Sequence, residues 1–122
     1  VEVREPYHIV GTWSNWGEPQ EMTWDKIFKC YKFRLRLAFR VESFQILQGG
    51  SWDKCLHPPT ETNGCPGTHY APKGPNKKSE CRGHHWTIGN HEKDQGATGV
   101  QYDVKLFLDR EGRPDKVTWT RR

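Results

Sequence analysis

Short stretches in which apolar and polar residues alternate constrain this chain more than any other feature. The clearest covers residues 30–39, where one face is apolar and the other carries lysine and arginine. Successive side chains of a β-strand point to opposite sides of a sheet, so this period of two predicts a strand with one side in a core and the other in water. The apolar face consists of Tyr31, Phe33, Leu35, Leu37 and Phe39.

Similar patterns predict strands on either side of this one. A first strand is expected over residues 6–13, with Tyr7 and Ile9 facing inward, and another over residues 41–48. In the latter, Phe44 and Ile46 are the candidates for burial. Because only a few residues separate 30–39 from 41–48, the sequence predicts a local antiparallel hairpin there.

The C-terminal part of the chain repeats the pattern. Regular structure is expected around Trp86, and residues 100–108 alternate again, with residues 100, 102, 104, 106 and 108 inward. The turn-like sequence DREGRP follows, and then a last strand over residues 116–120. These two strands predict a terminal hairpin. No segment of ten residues has helical periodicity, so six or seven short antiparallel strands predict an all-β sandwich or barrel.

Residues 49–83 interrupt the strand pattern. They are rich in glycine, proline, lysine and asparagine, and the prolines resist both helix and sheet. A long irregular loop is therefore expected at about 49–83, and a connection of that length is usually functional, tethered or disordered.

Size and charge narrow the class of protein. A chain of 122 residues has the length of a single domain, so we expect one β-sandwich domain over residues 1–122. The start at Val1 without a methionine leads us to expect a module excised from a larger multidomain protein. The net charge of +4 is too small and dispersed to indicate a nucleic-acid ligand, and Lys73, Lys77, Lys78 and Arg82 are interpreted as solvated loop charge. No apolar run approaches the roughly 20 residues of a membrane span.

The cysteines leave several interpretations open. Cys55, Cys65 and Cys81 lie in the long loop, close in sequence to His57, and such N and S ligands could bind zinc. No Cys-x-x-Cys pair supports that site, however, and a disulfide or free thiols are the alternatives. Cys30 is expected to be buried in its strand.

Six tryptophans are the other chemical signal. Trp86 and Trp119 lie within strand patterns and are predicted to be core residues, as is Trp13, which is in phase with the inward side of the first strand. Trp16 follows Asn15 after that strand, and Trp52 follows a glycine pair. An indole face at such a loop packs on the CH face of a sugar, whose hydroxyls need polar neighbours.

These features together resemble the starch- and glycogen-binding modules, such as the glycogen-binding domain of the AMP-activated kinase β subunit. The resemblance covers the first half of the chain and rests on GTWSNW at 11–16, Met22, FRL at 33–35, FQI at 44–46 and GSW at 50–52 before two prolines. It implies an immunoglobulin-like antiparallel β-sandwich. Gln45 stands where the family has a sugar-contacting lysine, and Gly49 where it has an aspartate.

The resemblance implies a function for the two loop tryptophans. In the family the corresponding rings stack on an α-glucan, which carries over onto Trp16 and Trp52, with Asn15, Gln45 and Lys54 as polar helpers. We therefore predict a non-catalytic carbohydrate-binding module with a polysaccharide or oligosaccharide ligand and no cofactor. The alternative is a scaffolding module with a decayed sugar site that docks neighbouring domains of a multidomain enzyme. A cysteine with His84 or His85 is the one candidate catalytic pair, and no acid is placed to orient the histidine.

Overall fold

The structure is a computed structural model that describes residues 5–59 and 71–122. Among these residues, strands form two antiparallel sheets. The strands are β1 (Tyr7–Gly11), β2 (Gln20–Glu21), β3 (Thr23–Asp25), β4 (Cys30–Arg36), β5 (Glu42–Gln48), β6 (Cys55–His57), β7 (Lys73–Asn76), β8 (Trp86–Ile88), β9 (Gln101–Leu108) and β10 (Pro114–Arg121). One turn of helix, α1 (Lys78–Cys81), precedes β8.

The first sheet has the order β2-β1-β5-β6-β7, and β8 also pairs with β5. The second sheet has the order β10-β9-β4-β3. The predicted all-β antiparallel sandwich is therefore confirmed, as is the terminal hairpin, which is formed by β9 and β10.

The two sheets enclose one main core, built from the inward face of each alternating strand. Its aromatic centre includes Phe44, whose ring lies 5.4 Å from that of Trp86 and 5.8 Å from that of Trp119. The buried members are Tyr7, Ile9, Met22, Tyr31, Leu35, Leu37, Phe44, Ile46, Leu56, Trp86, Ile88, Tyr102, Val104, Leu106, Val117 and Trp119. The predicted burial of Trp86 and Trp119 is confirmed, and the half-buried Trp13 packs against the same core.

The expected hairpin between residues 30–39 and 41–48 is wrong. β4 pairs with β3 and β9 in the second sheet, whereas β5 pairs with β1, β6 and β8 in the first. The joint crosses between sheets because the buried carboxylate of Glu42 accepts backbone N–H bonds from Ala38 and Phe39, at 2.8 and 3.0 Å, and a third hydrogen bond from the Thr12 hydroxyl at 2.7 Å. The chain therefore makes a bend capped by Glu42 at this point, and not the turn of a β-hairpin.

The placement of Phe39 on the buried face is also wrong. β4 ends at Arg36, the chain bends at residues 38–40, and the Phe39 side chain is 70% exposed. The alternation of apolar residues continues past the strand that it predicts, because sequence period alone does not show where pairing with a neighbour stops.

The prediction of one long irregular loop at about 49–83 is wrong in part, because its described residues carry short elements of structure. Residues 60–70 of this stretch lie outside the described residues. β6 pairs with β5, β7 pairs with β6, and α1 follows. These strands are only three and four residues long. They give too little alternation to be recognised in a segment rich in proline and glycine.

Candidate functional site

A second, smaller apolar cluster lies on the outer face of the first sheet. Val10, Leu47 and Cys55 alternate with residues of the main core and point to the opposite side of the sheet. Cys81 of α1 covers them, and all four side chains are buried. The segment that carries α1 therefore forms a third layer over part of the sandwich.

Gln45 ties this layer to the sheet. Its Nε2 donates to the backbone carbonyls of Cys81, at 2.8 Å, and His84, at 2.7 Å. Both amide N–H groups are therefore used within the protein, and only Oε1 remains as a hydrogen-bonding group. The residue is buried, so these two bonds fix the position of the chain between α1 and β8.

Trp16 is held by an unusual turn at the end of β1. One turn of 3₁₀ helix spans Thr12–Ser14, and Asn15 and Trp16 then both adopt left-handed backbone conformations, with φ of 54° and 57°. A bulky residue rarely takes this conformation, and such residues cluster at ligand sites. The N–H of Trp16 donates to the carbonyl of Gly11 at 2.9 Å, which closes the turn.

The same turn requires a glycine at position 11. A β-carbon there would lie 2.2 Å from the Trp13 ring and 2.4 Å from the Ser43 carbonyl oxygen. The absence of a side chain lets the Trp13 ring pack directly against the backbone at this position. The glycine two residues before Trp13 thus has a steric cause.

Trp52 is placed by the turn after β5. Gly49 and Gly50 have φ of 65° and 74°, in the region that favours glycine. The N–H of Ser51 then donates to the Gln48 carbonyl at 3.3 Å. This tight reversal brings Trp52 back over the outer face, where it packs against the second cluster together with Trp16.

The two tryptophans line one cleft of about 310 Å³. Trp16 stacks at a tilt on His85, with ring centroids 5.6 Å apart, and the ammonium of Lys78 lies 5.0 Å from the centre of the Trp52 ring. The lining residues are Trp16, Gln45, Trp52, Lys78, Cys81, Arg82, Gly83 and His85. Aromatic faces, two cationic side chains and an imidazole therefore meet in one concave site.

Three of the five residues predicted for a sugar site come together here. Trp16, Trp52 and Gln45 line the cleft. Asn15 and Lys54 are exposed on the turns that carry the two tryptophans, and neither belongs to the lining. Asn15 contributes its backbone instead, as the left-handed residue that ends the 3₁₀ turn.

Sequence reasoning did not include Lys78, Arg82 and His85 in the site. The sequence feature that could have indicated them is the concentration of basic residues in the proline-rich segment. We interpreted those residues as solvated loop charge. The structure brings these three side chains to the cleft because Gln45 anchors the backbone between them.

Two other depressions lie near the second sheet. They have volumes of about 560 and 480 Å³, share Trp24, and are lined largely by charged residues of the β3–β4 and β9–β10 turns. Neither contains a second tryptophan. The cleft with Trp16 and Trp52 is smaller but is better suited to an amphipathic ligand.

The cysteines described by the structure are free thiols. Cys30 is buried, as expected. Cys55 is buried beside Cys81. Burial is the main cause that raises the pKa of the Cys55 thiol, and a hydrogen bond with the Cys81 thiol raises it further. Cys65 lies outside the described residues.

The zinc hypothesis for Cys55, His57, Cys65 and Cys81 gains no support from the described part of the chain. There, no three His, Cys, Asp or Glu side chains form a group able to hold a metal ion. His57 Nδ1 lies 2.8 Å from the Pro58 carbonyl, to which it must donate, and Nε2 then accepts from Asn76 Nδ2 at 2.9 Å. The ring therefore has no free lone pair for a metal.

Comparison with known proteins supports the fold. No protein-family model matches the sequence, and no curated protein matches it. A solved chain described as "Ligand induced structure of AmyP-SBD", a starch-binding domain, matches with a TM-score of 0.57 and 12% identity, over 98% of this chain and 73% of that one. At this identity the similarity shows a shared fold. Within residues 5–59 and 71–122, no helix has the length and apolar character of a membrane span.

Proposed function

We propose that this chain is a non-catalytic carbohydrate-binding module that binds an α-glucan in the cleft between Trp16 and Trp52. The observation that carries the proposal is the meeting of these two rings in one concave site, although they are far apart in sequence. An indole face stacks on the apolar face of a glucose unit, and successive units of a chain suit two such faces.

The polar surroundings support the same ligand class. Gln45 retains Oε1 as an acceptor for a sugar hydroxyl, while Lys78 and Arg82 supply donors at the rim. Asn15 and Lys54 are exposed on the adjoining turns, and we propose that they contact a chain that extends beyond the cleft. The fold shared with a starch-binding domain supports the proposal at the level of architecture.

The test is a titration with soluble starch, glycogen and cyclodextrin, followed by tryptophan fluorescence. Trp16→Ala and Trp52→Ala should each weaken binding about tenfold, because each removes one stacking face. Phe39→Ala is the control, since it removes an aromatic side chain that is 70% exposed and outside the cleft. Thermal unfolding of each variant separates loss of binding from loss of fold.

A scaffolding module that docks a neighbouring domain is the second candidate. The observation that favours it is Gln45, whose N–H groups hold the protein's own backbone and are not available to a sugar. Unchanged emission with all three glucans would support this function over the first.

A further inference from the structure

The charged side chains that line the cleft are basic. Its lining includes Lys78, Arg82 and His85, and contains no carboxylate among the residues that the structure describes. The Gln45 amide N–H groups are used elsewhere, and one side-chain carbonyl oxygen remains. The side chains that face a ligand are therefore mainly hydrogen-bond donors.

Elsewhere on the surface, several arginines lie close to carboxylates. Arg34 lies 3.5 Å from Asp103, Arg121 lies 3.3 Å from Asp94, and Arg122 lies 3.4 Å from Asp103. Lys78 and Arg82 have no such carboxylate partner in residues 5–59 or 71–122. Two cations that line the same partly apolar cleft therefore give its lining a positive charge.

Lys78 also lies close to the face of Trp52 on which a sugar would stack. Its ammonium lies 5.0 Å from the centre of the Trp52 ring, a distance at which a cation is attracted to the aromatic face. Lys78 is exposed and its stem is flexible, so the ammonium can move to the edge of a sugar stacked on Trp52 without movement of α1. A substituent on that sugar would then meet the charge.

Neutral sugar hydroxyls both donate and accept, whereas a phosphate monoester mainly accepts and carries negative charge. Donor-rich cationic sites match the second chemistry, through charge-assisted hydrogen bonds. We propose that the cleft prefers an α-glucan that carries a phosphate monoester, with the sugar face on the tryptophans and the phosphate between Lys78 and Arg82. This inference rests on the proposed glucan-binding function and names the substrate class of the same site.

The experiment compares three ligands in calorimetric titrations at low and high salt. They are maltoheptaose, maltoheptaose with one phosphate monoester, and an oligogalacturonate of the same length, which offers carboxylates on a different sugar. The phosphorylated chain should bind about tenfold more tightly than the neutral one at low salt, and the ratio should shrink as salt screens the charges.

Variants assign the preference to the cleft. In Lys78→Gln and Arg82→Gln, the ratio between phosphorylated and neutral affinity should fall toward one. Lys116→Gln is the matched control, because Lys116 also lies over an aromatic ring, that of Phe107 at 5.3 Å, but on the second sheet. It makes the same change in net charge and should keep the ratio.

The outcomes separate this inference from the function on which it rests. Equal affinity for the two maltoheptaoses, or tighter binding of the oligogalacturonate, overturns the phosphate preference and leaves glucan binding intact. A preference that survives both cleft variants also overturns it. No binding of either maltoheptaose overturns the proposed function itself. Tighter binding of the phosphorylated chain that depends on Lys78 and Arg82 supports both.

Discussion

The outer faces of the two sheets both carry lysine and arginine side chains, but the surroundings of these side chains differ between the two faces. On the second sheet, Lys32 lies 3.4 Å from Asp25 and Arg34 lies 3.5 Å from Asp103, so ion pairs join neighbouring strands. On the first sheet, a further stretch of chain covers the face and brings Lys78 and Arg82 beside two tryptophans. One face is an ion-paired surface and the other is a cleft.

The cleft depends on the added layer. Lysines over aromatic rings occur on both faces, with Lys116 over Phe107 on one and Lys78 over Trp52 on the other. Only the first sheet, among the described residues, has a buried cluster outside the main core on which a tryptophan pair rests. The buried cluster and the tryptophan pair on it, and not a lysine over an aromatic ring, therefore distinguish the first sheet from the second.

Removal of a ring from the main core, which lies between the two sheets, should lower the free energy of unfolding more than any other change proposed here. Trp86→Ala should lower the free energy of unfolding by about 3–5 kcal/mol, because it removes a fully buried ring from the centre of the sandwich. Chemical denaturation measures the change. Trp52→Ala, which removes a half-buried ring from the cleft, should cost clearly less; equal losses would contradict the division between core and site.

The next effect is on the third layer. Gln45→Leu should lower the free energy of unfolding by about 1–3 kcal/mol, because the Cys81 and His84 carbonyls lose their donor. Hydrogen exchange should quicken at residues 77–85 and stay unchanged in β9 and β10. Gln101→Leu, in the second sheet, is the control. A variant with native protection at 77–85 would show that the layer is held by other contacts.

The smallest effect concerns the charge balance of the second sheet. Backbone N–H bonds from Phe28 and Ile27, together with Lys32, hold the pKa of Asp25 below its usual range. Because the folded-state pKa is lowered, the ionised carboxylate stabilises the fold above its ordinary pKa near 4, and this contribution is lost as pH falls through the folded-state value.

Asp25→Asn should therefore melt slightly below the parent protein at neutral pH, and the two melting temperatures should converge in acid. The asparagine can still accept the backbone bonds, so the variant isolates the charge. A difference in melting temperature that is independent of pH would mean that the carboxylate does not act through its ionisation.

The strands and their buried faces could be predicted from the sequence, because alternation is a local property. Tyr31 and Leu35 in β4, and Tyr102, Val104 and Leu106 in β9, are buried as their period of two requires. The resemblance to glucan-binding modules predicts a site at Trp16 and Trp52, and both residues line one cleft. Glycine at positions 11, 49 and 50 marks the turns that place them.

Contacts between distant residues, and not the sequence pattern, set which sheet each strand joins and which side chains complete the cleft. Residues 30–39 and 41–48 are adjacent in sequence but separate into two sheets, because the buried Glu42 caps a bend between them. Lys78 and Arg82 belong to the cleft because Gln45, more than thirty residues earlier, binds the backbone beside them. Contacts between residues so far apart along the chain leave no periodic trace in sequence, since they depend on how separate elements pack.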